Sequence, residues 1–308
     1  MAGQINTYCP LVSVTVIAYK SAATIVDTLE SVLAQTYSNI ELIVSDDCSP
    51  DATVHIAETW IAQHKDRFVR AVVIKAEHNT GQSCNYNRAF DACQGEWIKE
   101  IDGDDLLTPT CIEDFVCYSK EHPSAVYVFG KIKAFGGSDD LCANVEQVFD
   151  YSFFTKTLED QLHYLIFERN CIPSPASFYN RQVMLKIGFR CDERIPYLED
   201  HPKWINLLKA GICFEFMDKV VALYRINTGV SIGIASPFYY ETNRKFCFLY
   251  QLPEWLKIEG EKAFDRIREQ ETNIYKMYYS KEQEIAHIRR SKAYRIGKFI
   301  TNFFKFAK

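Results

Sequence analysis

Over the first 120 residues, short β-branched apolar runs alternate with segments whose apolar residues recur three or four positions apart. Val12 to Tyr19 is a run of the first kind and predicts a buried strand. In Ser21 to Thr36, the residues Ile25, Leu29, Val32 and Leu33 fall on one side of a helix. The alternation continues with a strand over Ile40 to Ser45, a helix over Ala52 to His64 and a strand over Val69 to Lys75. Asn79-Thr80-Gly81 then turns into a helix reaching about Cys93, and Glu96 to Ile101 is a fourth strand. Between the second strand and its helix, Asp46-Asp47-Cys48-Ser49-Pro50-Asp51 reads as a turn and helix start. Strands and helices in this order predict an α/β fold, a mainly parallel sheet flanked by helices on both faces.

Past residue 120 the pattern loosens. Ala125 to Phe135 predicts a strand, Leu158 to Arg169 a helix, and Cys171 to Phe178 an irregular Pro/Ser segment entering a strand. Asp200 to Ala210 predicts a short helix, and Cys213 to Arg225 two strands around Met217-Asp218. From Pro237 the chain reads as helical to its end. The expected organisation is a domain over residues 1–236, with halves at about 11–120 and 121–236, and a helical C-terminal region over 237–308.

Composition narrows the function classes. The 308 residues are 47% hydrophobic and 24% charged, ordinary for a soluble enzyme. A net charge of −5 argues against nucleic acid as a partner. Eleven cysteines form neither a CxxC pair nor a Cys/His cluster at zinc spacing, which suits reduced thiols in a cytoplasmic protein. The first residues, MAGQINTYCP, lack a basic stretch, and no apolar run approaches 18 residues, so neither a signal peptide nor a membrane-spanning helix is expected. From Ala286 on, acidic residues vanish while Arg289, Arg290, Lys292, Arg295, Lys298, Lys305 and Lys308 accumulate. Ile296, Phe299, Ile300 and Phe303 recur at helical spacing, so the tail reads as a basic amphipathic helix. Its expected partner is an anionic membrane surface, with docking on the protein's own body as the alternative.

In a sheet of this kind ligands bind beyond the carboxyl ends of the strands. Three predicted strand ends carry polar groups there: Tyr19, the Asp46-Asp47 pair, and Asp102-Gly103-Asp104-Asp105. Carboxylates crowded on one turn repel each other unless water or a cation neutralises them. A hard divalent ion bridging to a diphosphate is their usual partner, and an acidic turn capping the helix near Pro109 is the plainer reading. A dinucleotide site would require GxGxxG where Ala18-Tyr19-Lys20-Ser21 stands. An EF-hand starting at Asp102 fails because Leu106 and Leu107 occupy its oxygen-ligand and glycine positions. A phosphatase would carry its aspartate on the first strand, which here ends in Tyr19.

Taken in order, Val12-Ser13-Val14, Tyr19, Leu33-Ala34-Gln35-Thr36-Tyr37, Glu41-Leu42-Ile43-Val44, Asp46 to Asp51, Asn79-Thr80-Gly81, Gly95-Glu96-Trp97-Ile98 and Asp102 to Asp105 closely resemble family 2 glycosyltransferases of the GT-A fold. Ile187-Gly188-Phe189, Tyr197 to Asp200, Ala210-Gly211 and Tyr224-Arg225 continue the likeness more weakly. The resemblance implies an inverting sugar transfer from a nucleotide sugar, a UDP-sugar by expectation, to a saccharide or lipid-linked saccharide acceptor in cell-surface polysaccharide synthesis. It also implies a divalent metal, Mn2+ or Mg2+, and an enzyme peripheral on the inner face of the cell membrane.

Roles follow for matching positions. Tyr19 would pack on the nucleobase and Asp47 would bond its edge. Asp102 and Asp104 would form the DxD motif and hold the metal, with Asp105 as a neighbouring or alternate ligand. Arg225 would face the diphosphate, and Asp200 would be the catalytic base, a residue equally suited to starting the helix before Pro202. Three departures stand out. Ala18 and Lys20 flank Tyr19 where Pro and Asn are common, Cys84-Asn85-Tyr86-Asn87 lacks the usual arginine, and Asn227 stands where many members have His. The competing readings are a non-catalytic nucleotide- or carbohydrate-binding relative, against which Asp102, Asp104 and Asp200 speak, and a nucleotidyltransferase, which would need a Gly-rich basic loop after the first strand.

Overall fold

The computed structural model describes residues 8–226 and 237–290. The chain divides into two compact units, the first ending at Gly229 and the second starting at Val230.

The first unit opens with β1 (Val12–Ala18), α1 (Ile25–Leu33), β2 (Ile40–Asp46), α2 (Thr53–His64), β3 (Arg70–Lys75), α3 (Gln82–Ala92) and β4 (Trp97–Asp102). It continues with β5 (Leu106–Leu107), α4 (Cys111–Glu121), β6 (Tyr127–Phe135), α5 (Asp139–Glu146), α6 (Leu158–Phe167), β7 (Ser177–Asn180), α7 (Arg181–Lys186), α8 (Asp200–Lys209) and β8 (Phe214–Arg225). The second unit holds α9 (Pro237–Phe246), a π-helical turn at Cys247–Gln251, α10 (Leu252–Glu259) and α11 (Ala263–Arg290).

All seven residues of β1 and of β2 are buried, as strands covered on both faces must be. α1 buries Ile25, Leu29 and Val32 of the expected stripe, with Thr28 beside them and Leu33 only partly covered. The eight strands form one mixed sheet in the order β3-β2-β1-β4-β7-β6-β8-β5. β1 pairs in parallel with β2 and β4, β2 with β3, and β6 with β8. β7 runs antiparallel between β4 and β6, and β5 antiparallel to β8. β7, antiparallel to both its neighbours, makes this mainly parallel sheet a mixed one. Phe178 anchors β7, its ring stacked between Trp97 and Phe115 with both centroids at 4.8 Å.

The two strands expected around Met217-Asp218 are one strand, β8. Its register on β6 slips there, from Phe129 opposite Phe216 to Lys131 opposite Val220, so residues 217–219 bulge while both flanks stay paired. In the second unit, Arg244 of α9 pairs with Glu271 of α11 at 2.6 Å, and Arg266 lies over the Trp255 ring at 4.3 Å. No helix among the described residues is long and apolar enough to cross a membrane. The basic tail and Asn227 lie outside the described residues, apart from the tail's first positions in α11.

Candidate active site

Parallel pairing lines up three strand ends. Ala18 stands opposite Asp46, and Ile17 opposite Asp102. Tyr19, Asp47 and Gly103 are therefore the next residues out along the carboxyl edge, where open α/β sheets take their ligands. Tyr19 is 37% exposed. Beside it and beside Asp47, Lys20 (φ +57°) and Cys48 (φ +62°) adopt left-handed backbone, which costs a residue with a Cβ about 1–2 kcal/mol. The conformation is enforced by hydrogen bonds: Lys20 N donates to Ser49 Oγ at 2.8 Å, and the Asp46 carboxylate accepts from Ser49 N at 2.8 Å and from Ser49 Oγ at 2.5 Å.

Asp47 is almost fully buried and ties β2 to the turn before α3. It accepts from Thr80 N at 3.0 Å, Thr80 Oγ1 at 2.5 Å and Gly81 N at 2.7 Å, with Arg88 Nη2 3.5 Å away. Gly81 has φ +92°, and a Cβ there would lie 2.5 Å from Pro196 Cβ. That close approach lets the segment before α8 seat on α3. Ser83 donates through N to Pro196 O at 3.1 Å and through Oγ to Ile195 O at 2.7 Å, and Asn87 Nδ2 donates to Cys191 O at 3.1 Å. The segment carries Tyr197 to the turn before α3, where its hydroxyl donates to Asn79 Oδ1 at 3.4 Å. Burial, and then the nearby Asp47 and Tyr19, raise its hydroxyl above the ordinary tyrosine range.

The acidic turn closes β4. Gly103 N donates to Ile17 O at 2.8 Å, and a Cβ on Gly103 would stand 2.9 Å from Ser21 Oγ. Asp102 and Asp104 are partly exposed, while Asp105 is 1% exposed. Asp105 Oδ1 accepts from Arg225 N at 2.7 Å, and its Oδ2 is buried without a hydrogen-bond partner. Arg225 Nε donates to Asp104 O at 2.6 Å, and its Nη2 to Asp27 Oδ2 at 2.9 Å, so Arg225 clamps the turn from β8. Burial, then Asp104 and Glu100, push the Asp102 carboxyl up to about 7 against the pull of Tyr86 and Lys203. Asp105 is raised well above the carboxylate range by burial and then by Asp104 and Asp102.

This donor set fits a hard divalent cation, which would offset the repulsion among three clustered carboxylates. Among the described residues no three His, Cys, Asp or Glu side chains form a ready-made metal cage. Mg2+ and similar ions need none, since one or two carboxylates plus substrate phosphates complete their shell.

Asp200 begins α8 on the facing side. Its Oδ1 accepts from His201 N at 2.7 Å, and its Oδ2 from Asn170 Nδ2 at 2.6 Å. Ile172 N donates to Asn170 Oδ1 at 3.1 Å, which fixes the Asn170 amide with its donor toward Asp200. Glu199 is buried beside it; burial, and then Asp200 and Asp102, raise its carboxyl well above the usual range. Glu199 thus senses both the start of α8 and the acidic turn. The structure gathers Tyr19, Asp47 and Tyr197 into one neighbourhood. Asp102, Asp104, Asp105 and Arg225 form a second, which Glu199 links to Asp200.

Sequence reading missed Asn170, Tyr86 and Arg88. Tyr86 stands where the usual arginine was missing, and its hydroxyl donates to Asp102 Oδ1 at 3.1 Å. Arg88, two residues on, reaches back to Asp47 and Thr80 instead. Only the polar character of the start of α3 hinted at Tyr86 and Arg88.

Residues 13–186, more than half of the chain, match the family described as Glycosyl transferase family 2. The chain belongs to this family. EpsE of Bacillus subtilis (strain 168) is 34% identical over 113 residues, 37% of this chain and 40% of EpsE. The chain therefore spans less than half of that relative. The UDP-Glc:alpha-D-GlcNAc-diphosphoundecaprenol beta-1,3-glucosyltransferase WfaP of Escherichia coli is 28% identical over 260 residues, 83% of this chain and 90% of WfaP. The structure of S. aureus TarS 1-349 in complex with UDP-GlcNAc aligns with a TM-score of 0.59 at 22% identity, over 86% of this chain and 72% of TarS 1-349. At that identity the likeness is one of fold, and this family 2 member has the GT-A architecture.

Proposed function

We propose that the protein transfers a sugar from a uridine diphosphate sugar to a saccharide acceptor, with inversion at the anomeric carbon. The carrying observation is that two groups of carboxylates, Asp102 and Asp104 at the end of β4 and Glu199-Asp200 at the start of α8, sit on elements held together by the 2.8 Å bond from Lys203 to Glu100. Tyr19 offers its exposed ring to the base, and Asp47, buried under bonds from Thr80 and Gly81, holds the turn that completes that wall. Asp102 and Asp104 would hold the divalent cation, and Asp105 with Arg225 keeps their turn in place. Bound there, the cation would supply positive charge to a diphosphate leaving group.

Asp200 is the base in this reading. Asn170 and His201 N orient its carboxylate, which removes the proton from an acceptor hydroxyl as the oxygen attacks. A carboxylate is a weak base for a sugar hydroxyl, so the proton moves late and positioning supplies much of the acceleration. Uridine and a lipid-linked acceptor are supported by WfaP, whose name specifies UDP-Glc and a diphosphoundecaprenol acceptor. TarS, crystallised with UDP-GlcNAc, adds support for uridine.

Calorimetry with UDP and GDP in the presence of Mn2+ tests the donor. UDP is expected to bind at least tenfold tighter, and tighter GDP binding would reverse the choice of base. The basic, phenylalanine-rich tail supports a peripheral place on an anionic membrane surface. Deleting residues 286–308 is expected to release the protein from anionic vesicles; co-sedimentation unchanged by the deletion would remove the membrane role.

A further inference from the structure

Lys203 lies three residues after Asp200 on α8, and its side chain is fully buried. Its ammonium donates to Glu100 Oε2 at 2.8 Å. The same nitrogen stands 4.7 Å from the centroid of the Tyr86 ring and 4.5 Å from that of Trp204. The Tyr86 hydroxyl reaches Asp102 Oδ1 at 3.1 Å. Glu100, two residues before Asp102, accepts on its other oxygen from Tyr179 OH at 2.5 Å. A continuous line of contacts thus joins the helix that starts with Asp200 to the strand that ends in Asp102.

Stability alone gives little reason for such a pair. Removing an ammonium and a carboxylate from water offsets much of their attraction, and apolar side chains of similar volume often serve as well or better. A directional bond between buried charges adds register, since α8 cannot slide or rotate on β4 without leaving both charges unpaired. Burial opposes the Lys203 cation, yet the Glu100 carboxylate to which it donates holds it charged.

We propose that Lys203 is a positioning residue of the transfer site. It locks the start of α8, with Glu199 and Asp200, to the end of β4, and through the Tyr86 ring it fixes the Asp102 carboxylate that meets a nucleoside diphosphate. The inference rests on the donor reading above.

The test uses the full chain and two variants. Lys203→Met/Glu100→Gln removes both charges at similar volume, so neither is left buried alone. Tyr86→Phe keeps the ring over Lys203 and removes the hydroxyl. Thermal unfolding reports the fold, and calorimetry with UDP and Mn2+ reports the site without turnover. Both variants are expected to melt near the wild type and to bind UDP about tenfold more weakly. Combining them should add little, because both act through one contact. Wild-type affinity in either folded variant overturns the inference and leaves the pair a packing feature. A wild-type protein that binds neither UDP nor GDP with Mn2+ overturns the donor reading instead, a result separate from loss in a variant alone.

Discussion

Asp200→Asn is expected to lower turnover by about 10²- to 10⁴-fold, the usual worth of a positioned general base. The substitution keeps the size of the side chain and an oxygen for the His201 N–H, so α8 retains its start. It does remove proton-accepting power, and it turns an acceptor facing the Asn170 amide into a potential donor. Donor affinity is expected to stay near wild type, because Tyr19, Asp47 and the acidic turn are untouched. Steady-state kinetics beside UDP calorimetry separates the two effects. Near-normal turnover would leave Asp200 as a helix start and move suspicion to Glu199, its buried neighbour.

The second large effect concerns the metal. EDTA is expected to abolish transfer, and Mn2+ or Mg2+ to restore it. Asp104→Ala is expected to reduce turnover by about 10²- to 10³-fold, the order seen when one electrostatic stabiliser of a transition state is removed. Its partly exposed side chain predicts little change in melting temperature, whereas Asp105→Ala should destabilise the turn, since it removes the buried carboxylate that accepts from Arg225 N. Full activity in chelator would remove the metal from the account.

Much of this site was legible before the structure. Parallel strands buried on both faces announce themselves as short runs rich in β-branched residues, so β1 and β2 emerged within a residue of their observed ends, and with them Tyr19, Asp47 and Asp102 at the sheet's edge. Elements that bury little were not legible. α5 has no buried residue, α7 has six residues and β5 two, too short for a period to show. β8 read as two strands because Asp218 and Lys219 interrupt its apolar run, although the bulge absorbs them without ending the strand.

The site's supporting residues were hidden for a different reason. A lysine or glutamate in sequence reads as a solvated face, and nothing local says that Lys203 meets Glu100 across 103 positions. Asp105 looked equivalent to its neighbours Asp102 and Asp104. The fold distinguishes them, turning Asp105 inward onto the β8 backbone and leaving the other two partly exposed.

The anomeric configuration of the product tests the central claim most directly. The proposed reaction is a single displacement between a nucleotide sugar at the β4 turn and an acceptor hydroxyl activated by Asp200. Proton NMR of the glycoside formed from an α-linked UDP-sugar is predicted to show the coupling constant of a β-linked product. A coupling constant showing an α-linked product would contradict the mechanism.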